Sequence, residues 1–208
     1  MKGEESQRIV IITFCISLLF VLVQVLIGSE LLSFSGIKAA FSATLVLSAW
    51  WWFYFNYGWK IKLFNLILYK ENINGTWFGN YESKDLEKGT IYKGEICLVI
   101  KQNFLNIKIT SITNRFKSYS YSEELNCKDE KKQLIYVYSQ DEISSDDHNI
   151  RKGTSELELT KFEGKSELYG KFWTNTGTIG SLTFTQISNK HIMFFDKAKK
   201  IFEESEVK

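Results

Sequence analysis

The chain has 208 residues, 44% of them hydrophobic and 24% charged, with a formal net charge of +2. From Ile73 onward, 20 Lys or Arg face 20 Asp or Glu, which excludes a bulk basic field for holding nucleic acid, so no DNA or RNA partner is expected. Three cysteines are too few for a disulfide framework, and the lack of proline leaves every turn to Gly, Asn, Asp and Ser.

Residues Met1–Gln7 are a short polar lead-in. Two apolar runs follow, Ile9–Ile27 and Ala39–Tyr57, with no Asp, Glu, Lys or Arg inside either. Each is about 19 residues, the length at which a helix crosses a hydrocarbon core of about 30 Å. The break between them carries Glu30, Ser33, Ser35, Gly36 and Lys38. The pattern predicts a membrane α-helical hairpin of two transmembrane helices over residues 1–59. Lys2 and Arg8 precede it, Lys60, Lys62 and Lys70 follow it, and only Lys38 lies between. Positive residues stay on the cytoplasmic face, so both termini and the downstream domain are expected inside. Gln24 in the first run needs a polar partner or a place near the far interface. In the second run Ala40, Thr44 and Ser48 recur at spacings of four, a small-residue face for close helix packing, within the hairpin or between protomers.

The second run ends in Trp50-Trp51-Trp52-Phe53-Tyr54-Phe55-Asn56-Tyr57-Gly58-Trp59. Amphipathic aromatic rings favour the headgroup level, so this reads as an interfacial anchor. Residues 60–72 read as a juxtamembrane linker, with Ile61, Phe64, Ile67 and Leu68 at helical spacing.

From Ile73 the hydrophobic period changes to two. The predicted strands are Thr76–Ser83, Thr90–Lys101, Leu105–Ile112, Arg115–Cys127, Gln133–Gln140, Gly153–Lys161, Ser166–Asn175 and Thr178–Ile187. Leu105, Ile107 and Ile109 alternate with polar residues, as do Leu157 and Leu159, so each strand has one buried and one wet face. Short turn signals separate the strands. Residues 73–208 therefore predict an all-β domain, an antiparallel up-and-down barrel of about eight strands. A C-terminal helix is expected after Ile187, capped by Ser188 or Asn189, with Phe194, Phe195, Ala198, Ile201 and Phe202 on its apolar face.

Catalytic patterns are missing. His148 and His191 have no ligand-spaced neighbours, Cys97 sits in an apolar strand, and no nucleophile elbow, P-loop or dinucleotide fingerprint occurs. The expectation is a binding domain, with no catalytic residue, metal or cofactor. Two stretches stand out: Gly75-Thr76-Trp77-Phe78-Gly79-Asn80-Tyr81 on the first strand, and Phe172-Trp173-Thr174-Asn175-Thr176-Gly177-Thr178-Ile179-Gly180 at the last turn. Barrel closure makes those strands neighbours. Gly79 and Gly180 mark places where the sheet bends or a ligand approaches.

A membrane hairpin followed by a barrel that opens on Gly-x-Trp-x-Gly and closes on Thr-Gly-x-x-Gly resembles the two-transmembrane β-barrel effectors of CBASS, the bacterial cyclic-oligonucleotide antiphage system. The resemblance implies a multi-pass inner-membrane protein whose barrel binds a cyclic dinucleotide made by a partner nucleotidyltransferase. It also implies a homo-oligomer on activation, disruption of inner-membrane lipids and death of the infected cell. Such a ligand needs its bases stacked and its phosphates neutralised. The candidates are Tyr81 and Trp173 for stacking, Arg115 with Tyr119 on its strand for phosphate and base, and Asn175, Thr176 and Thr178 for polar edges. Trp77 is a stacking ring or a barrel plug, and Arg151 reads as surface. A lipocalin-like lipid carrier and a filled structural barrel are the rival readings.

Overall fold

The structure is a computed structural model of the chain, and it describes residues 3–26, 34–61, 63–64, 68–127, 131–142, 151–162 and 164–206. Two compact units divide the chain: Met1–Lys70 with Asn103–Leu105, and Glu71–Gln102 with Asn106–Lys208.

The first unit holds α1 (Gly3–Leu26) and α2 (Phe34–Asn56), one over each apolar run, then a 3₁₀ turn at Gly58–Lys60. Among the described residues no helix is long and apolar enough to cross a membrane. The indole Nε1 of Trp51 donates to Thr13 Oγ1 at 3.0 Å and ties α2 to α1. Thr44 and Ser48 are exposed, while the side chains of Gln24 and Ala40 and the residue Ile67 lie outside the described residues. The aromatic run divides. Trp52 and Tyr57 are exposed, whereas Tyr54 and Trp59 are buried with Leu68 and Phe104. Phe104 stacks on Phe55 with centroids 5.6 Å apart, and its N–H donates to the Phe55 carbonyl at 2.9 Å. Of residues 61–70, Ile61, Leu63, Phe64 and Leu68 lie in bends and tight turns, Tyr69 and Lys70 are irregular, and 62 and 65–67 lie outside the described residues. Leu68 is held inward, where its carbonyl accepts the Tyr54 hydroxyl at 3.2 Å.

The second unit is a closed antiparallel barrel of β1 (Gly75–Asp85), β2 (Ile91–Gln102), β3 (Ile107–Ile112), β4 (Phe116–Asn126), β5 (Gln133–Glu142), β6 (Arg151–Phe162), β7 (Lys165–Thr174) and β8 (Thr178–Ser188). Consecutive strands pair throughout, and β1 closes on β8 from Thr76 opposite Ser188 to Asp85 opposite Thr178. The predicted strands agree to within a few residues, except that Leu105 is an exposed loop residue and β3 starts at Ile107.

Alternation sorts the strands into a lumen row and an outer row. The lumen core is Trp77, Leu98, Ile100, Ile107, Ile109, Leu134, Leu157, Leu159, Leu168, Leu182 and Phe184, with Ile73 closing the base. Trp77 has no exposed surface, and its indole N–H donates to the Ile73 carbonyl at 3.0 Å, so it plugs the barrel. Gly79 lets β1 approach β8, since a Cβ there would stand 1.9 Å from the Thr183 carbonyl oxygen. Glu71, only 4% exposed, braces the base between Lys132 and Lys161, each at 2.6 Å. The ladder is thinnest between β3 and β4, which pair only from Thr110 opposite Tyr119 to Ile112 opposite Lys117. A bulge between Ser120 and Ser122 follows, and the Ser120 hydroxyl there accepts the Ile109 N–H at 2.8 Å.

On the outer wall, Phe78, Cys97, Val99 and Ile112 are covered by α3 (Phe195–Glu206) through Phe195, Ala198, Ile201 and Phe202. The helix starts later than the sequence predicts. Ser188 still belongs to β8, and 189–194 is a loop fixed by Thr76, whose hydroxyl donates to Lys190 O at 2.6 Å and accepts the Ile192 N–H at 2.9 Å. Phe194 precedes the helix and is exposed.

Burial pushes the Cys97 thiol up to about 12. A pKa raised on folding stabilises the native state below the unfolded value and loses that contribution as pH rises toward the folded one. Above pH 9 the barrel should therefore lose up to about 1.4 kcal/mol of stability per pH unit through this thiol. Urea unfolding of wild type and Cys97→Ala between pH 8 and 11 checks this. The Ala variant should show the shallower decline, and equal slopes would refute the assignment.

Candidate functional site

The two ends of the lumen differ in chemistry. Toward the base the inward side chains are mostly apolar and packed, Trp77 and Phe184 among them, with the buried Gln102 hydrogen-bonded to the Ile73 N–H and the Glu71 carbonyl. Toward the end that carries the β1–β2, β3–β4 and β7–β8 turns, the inward rows change to Ser83, Ser111, Ser118 and Ser155, all buried, and to Tyr81, Tyr138 and Phe172, all half-buried. A half-buried aromatic ring above a packed floor is an exposed stacking face with a rigid support.

Each of the three rings lies over a glycine directly opposite on the next strand: Tyr81 on Gly94, Tyr138 on Gly153 and Phe172 on Gly180. A Cβ added at these glycines would stand 2.8, 2.5 and 2.5 Å from ring atoms, so any larger residue would push the ring off the wall. The bare backbone is what lets three large rings share the mouth of a small barrel.

The buried Ser155 Oγ has no hydrogen-bond partner of acceptable geometry. It lies beside Tyr136, whose phenol is pushed up by burial, opposed by the nearby Ser155 and Ser111 hydroxyls. Burial also raises the Tyr138 phenol, and Tyr136 adds to the effect. Both phenols are therefore neutral donors at physiological pH. A buried polar atom without a partner is costly, and a ligand that reaches it recovers that cost.

The turns at this end are well tied. Asp85 Oδ1 accepts the N–H groups of Glu87 and Lys88, both at 3.0 Å. The Leu86 N–H donates to the Gly177 carbonyl at 3.0 Å, which joins the β1–β2 turn to the β7–β8 turn. Gly177 has φ 72°, a left-handed conformation that favours glycine.

The sequence candidates fall into three places. Tyr81 is in the lumen mouth. Asn175 and Thr176 lie in the β7–β8 turn, Thr178 opens β8 opposite Asp85 on the lumen row, and Arg115 is exposed in the β3–β4 turn at the same end. Much of the β7–β8 chemistry serves the turn itself. Asn175 Oδ1 accepts the Lys152 N–H at 2.9 Å, and the Thr174 and Thr176 hydroxyls pair at 3.0 Å. Tyr119 and Trp173 stand on the outer row, 44% and 45% exposed, away from the lumen rings. Trp173 lies opposite Thr154 and Ile179, its outer-row neighbours. Tyr138 and Phe172 are the rings that sequence reasoning passed over. The period-two pair Tyr136 and Tyr138, and an aromatic two residues after Gly170, were the available signals.

A shallow groove over β1, β2 and β8 is lined by Asn80, Tyr81, Glu82, Lys93, Gly94, Glu95, Ser181 and Thr183. Lys93 already pairs with Glu82 at 2.7 Å, and Lys199 with Glu95 at 2.6 Å. Among the described residues no group of three or more His, Cys, Asp or Glu is placed to hold a metal. His148 lies outside the described residues.

A closed barrel with a packed floor and an aromatic, hydroxyl-lined mouth is a ligand-binding β-barrel. Residues 70–186, more than half of the chain, match the family described as Cap15, cyclic dinucleotide receptor domain, and the chain belongs to that family. The likeness to CBASS effectors carried by the two Gly-containing motifs therefore holds at the level of the family. A search of curated proteins finds no match.

Replacing Tyr138 by Leu keeps the apolar volume and removes the π-face. With base stacking worth about 1–3 kcal/mol, Tyr138→Leu should weaken binding of a cyclic dinucleotide by roughly 10- to 100-fold. The outer-row Tyr169→Leu should leave it unchanged. Titration calorimetry on the full chain in detergent distinguishes the two, and equal losses would move the site out of the lumen.

Proposed function

We propose that this protein is the membrane effector of a CBASS antiphage system. Its barrel binds a cyclic dinucleotide at the lumen mouth, binding promotes assembly of protomers, and the N-terminal hairpin then disrupts the inner membrane and kills the infected cell. The barrel recognises its ligand without turning it over. The observation that carries the reading is the cup of Tyr81, Tyr138 and Phe172 above a packed floor, in a chain of the cyclic dinucleotide receptor family.

Several features support the membrane half of the proposal. Val10, Ile11, Phe14, Leu18, Leu19 and Leu22 of α1 are all exposed, an apolar surface that water would penalise and lipid would not. Leu45 and Val46 do the same on α2. The charge asymmetry of the flanks favours a multi-pass inner-membrane protein with both termini and the barrel in the cytoplasm. Ala40, Thr44 and Ser48 supply a small-residue face on which hairpins of neighbouring protomers pack.

The lipid-carrier alternative needs an apolar cavity. The aliphatic half of this lumen is instead filled by its own side chains, Leu98, Leu134, Leu157 and Leu168 among them, all with no exposed surface.

Liposomes of bacterial lipid composition, loaded with a self-quenched dye and carrying the full chain, provide the test. One member of a panel of cyclic di-AMP, cyclic di-GMP, cyclic di-UMP and cyclic GMP–AMP should release dye, and release should rise steeply with protein density. Release that is independent of every cyclic dinucleotide, or absent with all of them, would overturn the proposal.

A further inference from the structure

Cyclic dinucleotides carry two phosphates, and their burial beside a stacked base needs a cation that faces the lumen. The strand register identifies which cations do. Alternate residues of β6 from Gly153 through Ser155, Leu157 and Leu159 lie on the lumen row, with Gly153 opposite Tyr138 and Leu157 opposite Leu134. Extending that row in both directions reaches Arg151 at the mouth and Lys161 at the base. Among the described strand residues these are the two cations on lumen rows. Lys161 is committed to Glu71 at 2.6 Å. Lys84, Lys93, Lys117, Lys152 and Lys171 fall on outer rows, as their pairing with Ile179, Glu82, Ile112, Ser139 and Ser181 requires.

We infer that Arg151 is the phosphate-binding cation of the mouth, and that the Asp85 carboxylate on the lumen row at the same end opposes the phosphate it takes. This rests on the cyclic dinucleotide reading above and assigns the residue that reading lacks. Arg151 opens β6 opposite Gln140, two residues above the Tyr138–Gly153 pair, so its guanidinium is carried by the same strand that supports a stacking ring. Asp85 ends β1 opposite Thr178, on the lumen row that continues from Tyr81 and Ser83. The Asp85 carboxyl is held below the usual carboxylate range, first by the Lys88 N–H, then by the Glu87 N–H and the Lys88 charge, and also by the charge of Arg151. A phosphate at the mouth would take the planar guanidinium bidentately, and a neighbouring carboxylate would oppose it. Arg115, in contrast, sits in the β3–β4 turn on no lumen row.

Titration of the four cyclic dinucleotides named above into the full chain in detergent tests this. The variants are Arg151→Ala, Arg151→Lys, Asp85→Asn and, as a charge-matched control, Lys165→Ala at the opposite end of the barrel. Arg151→Ala should weaken the tightest ligand on the order of 10- to 100-fold, and Arg151→Lys by less, because it keeps charge but loses the fork. Asp85→Asn keeps the turn-capping oxygen and should tighten binding by about 2- to 5-fold. Lys165→Ala should match wild type. Equal thermal melting of the variants confirms folding. Wild-type binding with Arg151→Ala and Arg151→Lys both unaffected overturns the inference and leaves the cyclic dinucleotide reading intact. Wild type that binds none of the four overturns both.

Discussion

Closure of β1 on β8 is the constraint on which the rest of the barrel depends. That ladder runs the full length of both strands, and it brings the first and last turns of the domain side by side. Gly75, Gly79 and Gly180 permit it, because a Cβ at these positions would stand 2.3, 1.9 and 2.2 Å from the Ser188, Thr183 and Glu82 carbonyl oxygens across the seam. Closure removes the sheet edges that would otherwise offer unpaired N–H and C=O groups to other chains. It also fixes, for every residue on eight strands, whether the side chain meets the lumen or the outer wall.

The chemistry of the lumen follows a gradient along its axis. At the base, Trp77, Leu134, Leu157 and Leu168 are packed, and Glu71 binds two lysines over them. Apolar burial of this extent is worth roughly 25 cal/mol per Å² and supplies the rigidity that the mouth needs. At the mouth the same rows carry hydroxyls and aromatic rings seated on glycines, a looser and more polar lining than the base. One orphaned hydroxyl, Ser155 Oγ, lies at the boundary between the two. The thin β3–β4 ladder with its adjacent bulge is the part of the wall with the least hydrogen bonding to hold it shut.

Much of the fold was legible in the sequence because period-two alternation is local. Leu157 and Leu159 announce a half-buried strand on their own, and β6 is where they predict it. Errors arose where tertiary contacts decide. Leu105 continues the alternation of β3 yet stays outside the strand, because Phe104 beside it is drawn into the aromatic cluster of the helical unit. The site was harder to read for a geometric reason. Trp173 and Phe172 are adjacent in sequence, and only the register with β6 and β8 shows that Phe172 faces in and Trp173 faces out. Tyr119, Tyr138 and Arg151 are separated by the same rule. Sequence gives the alternation of a strand but not its phase.

The central claim is that the mouth of the barrel, rather than its outer wall, senses the ligand. Hydrogen exchange of the full chain, with and without a saturating cyclic dinucleotide, measures this directly. The account predicts slower exchange in the β1–β2 turn, in the β7–β8 turn and at Tyr81, Tyr138 and Phe172. Slowing confined to the outer face around Tyr119 and Trp173, or no slowing in the barrel, would contradict it.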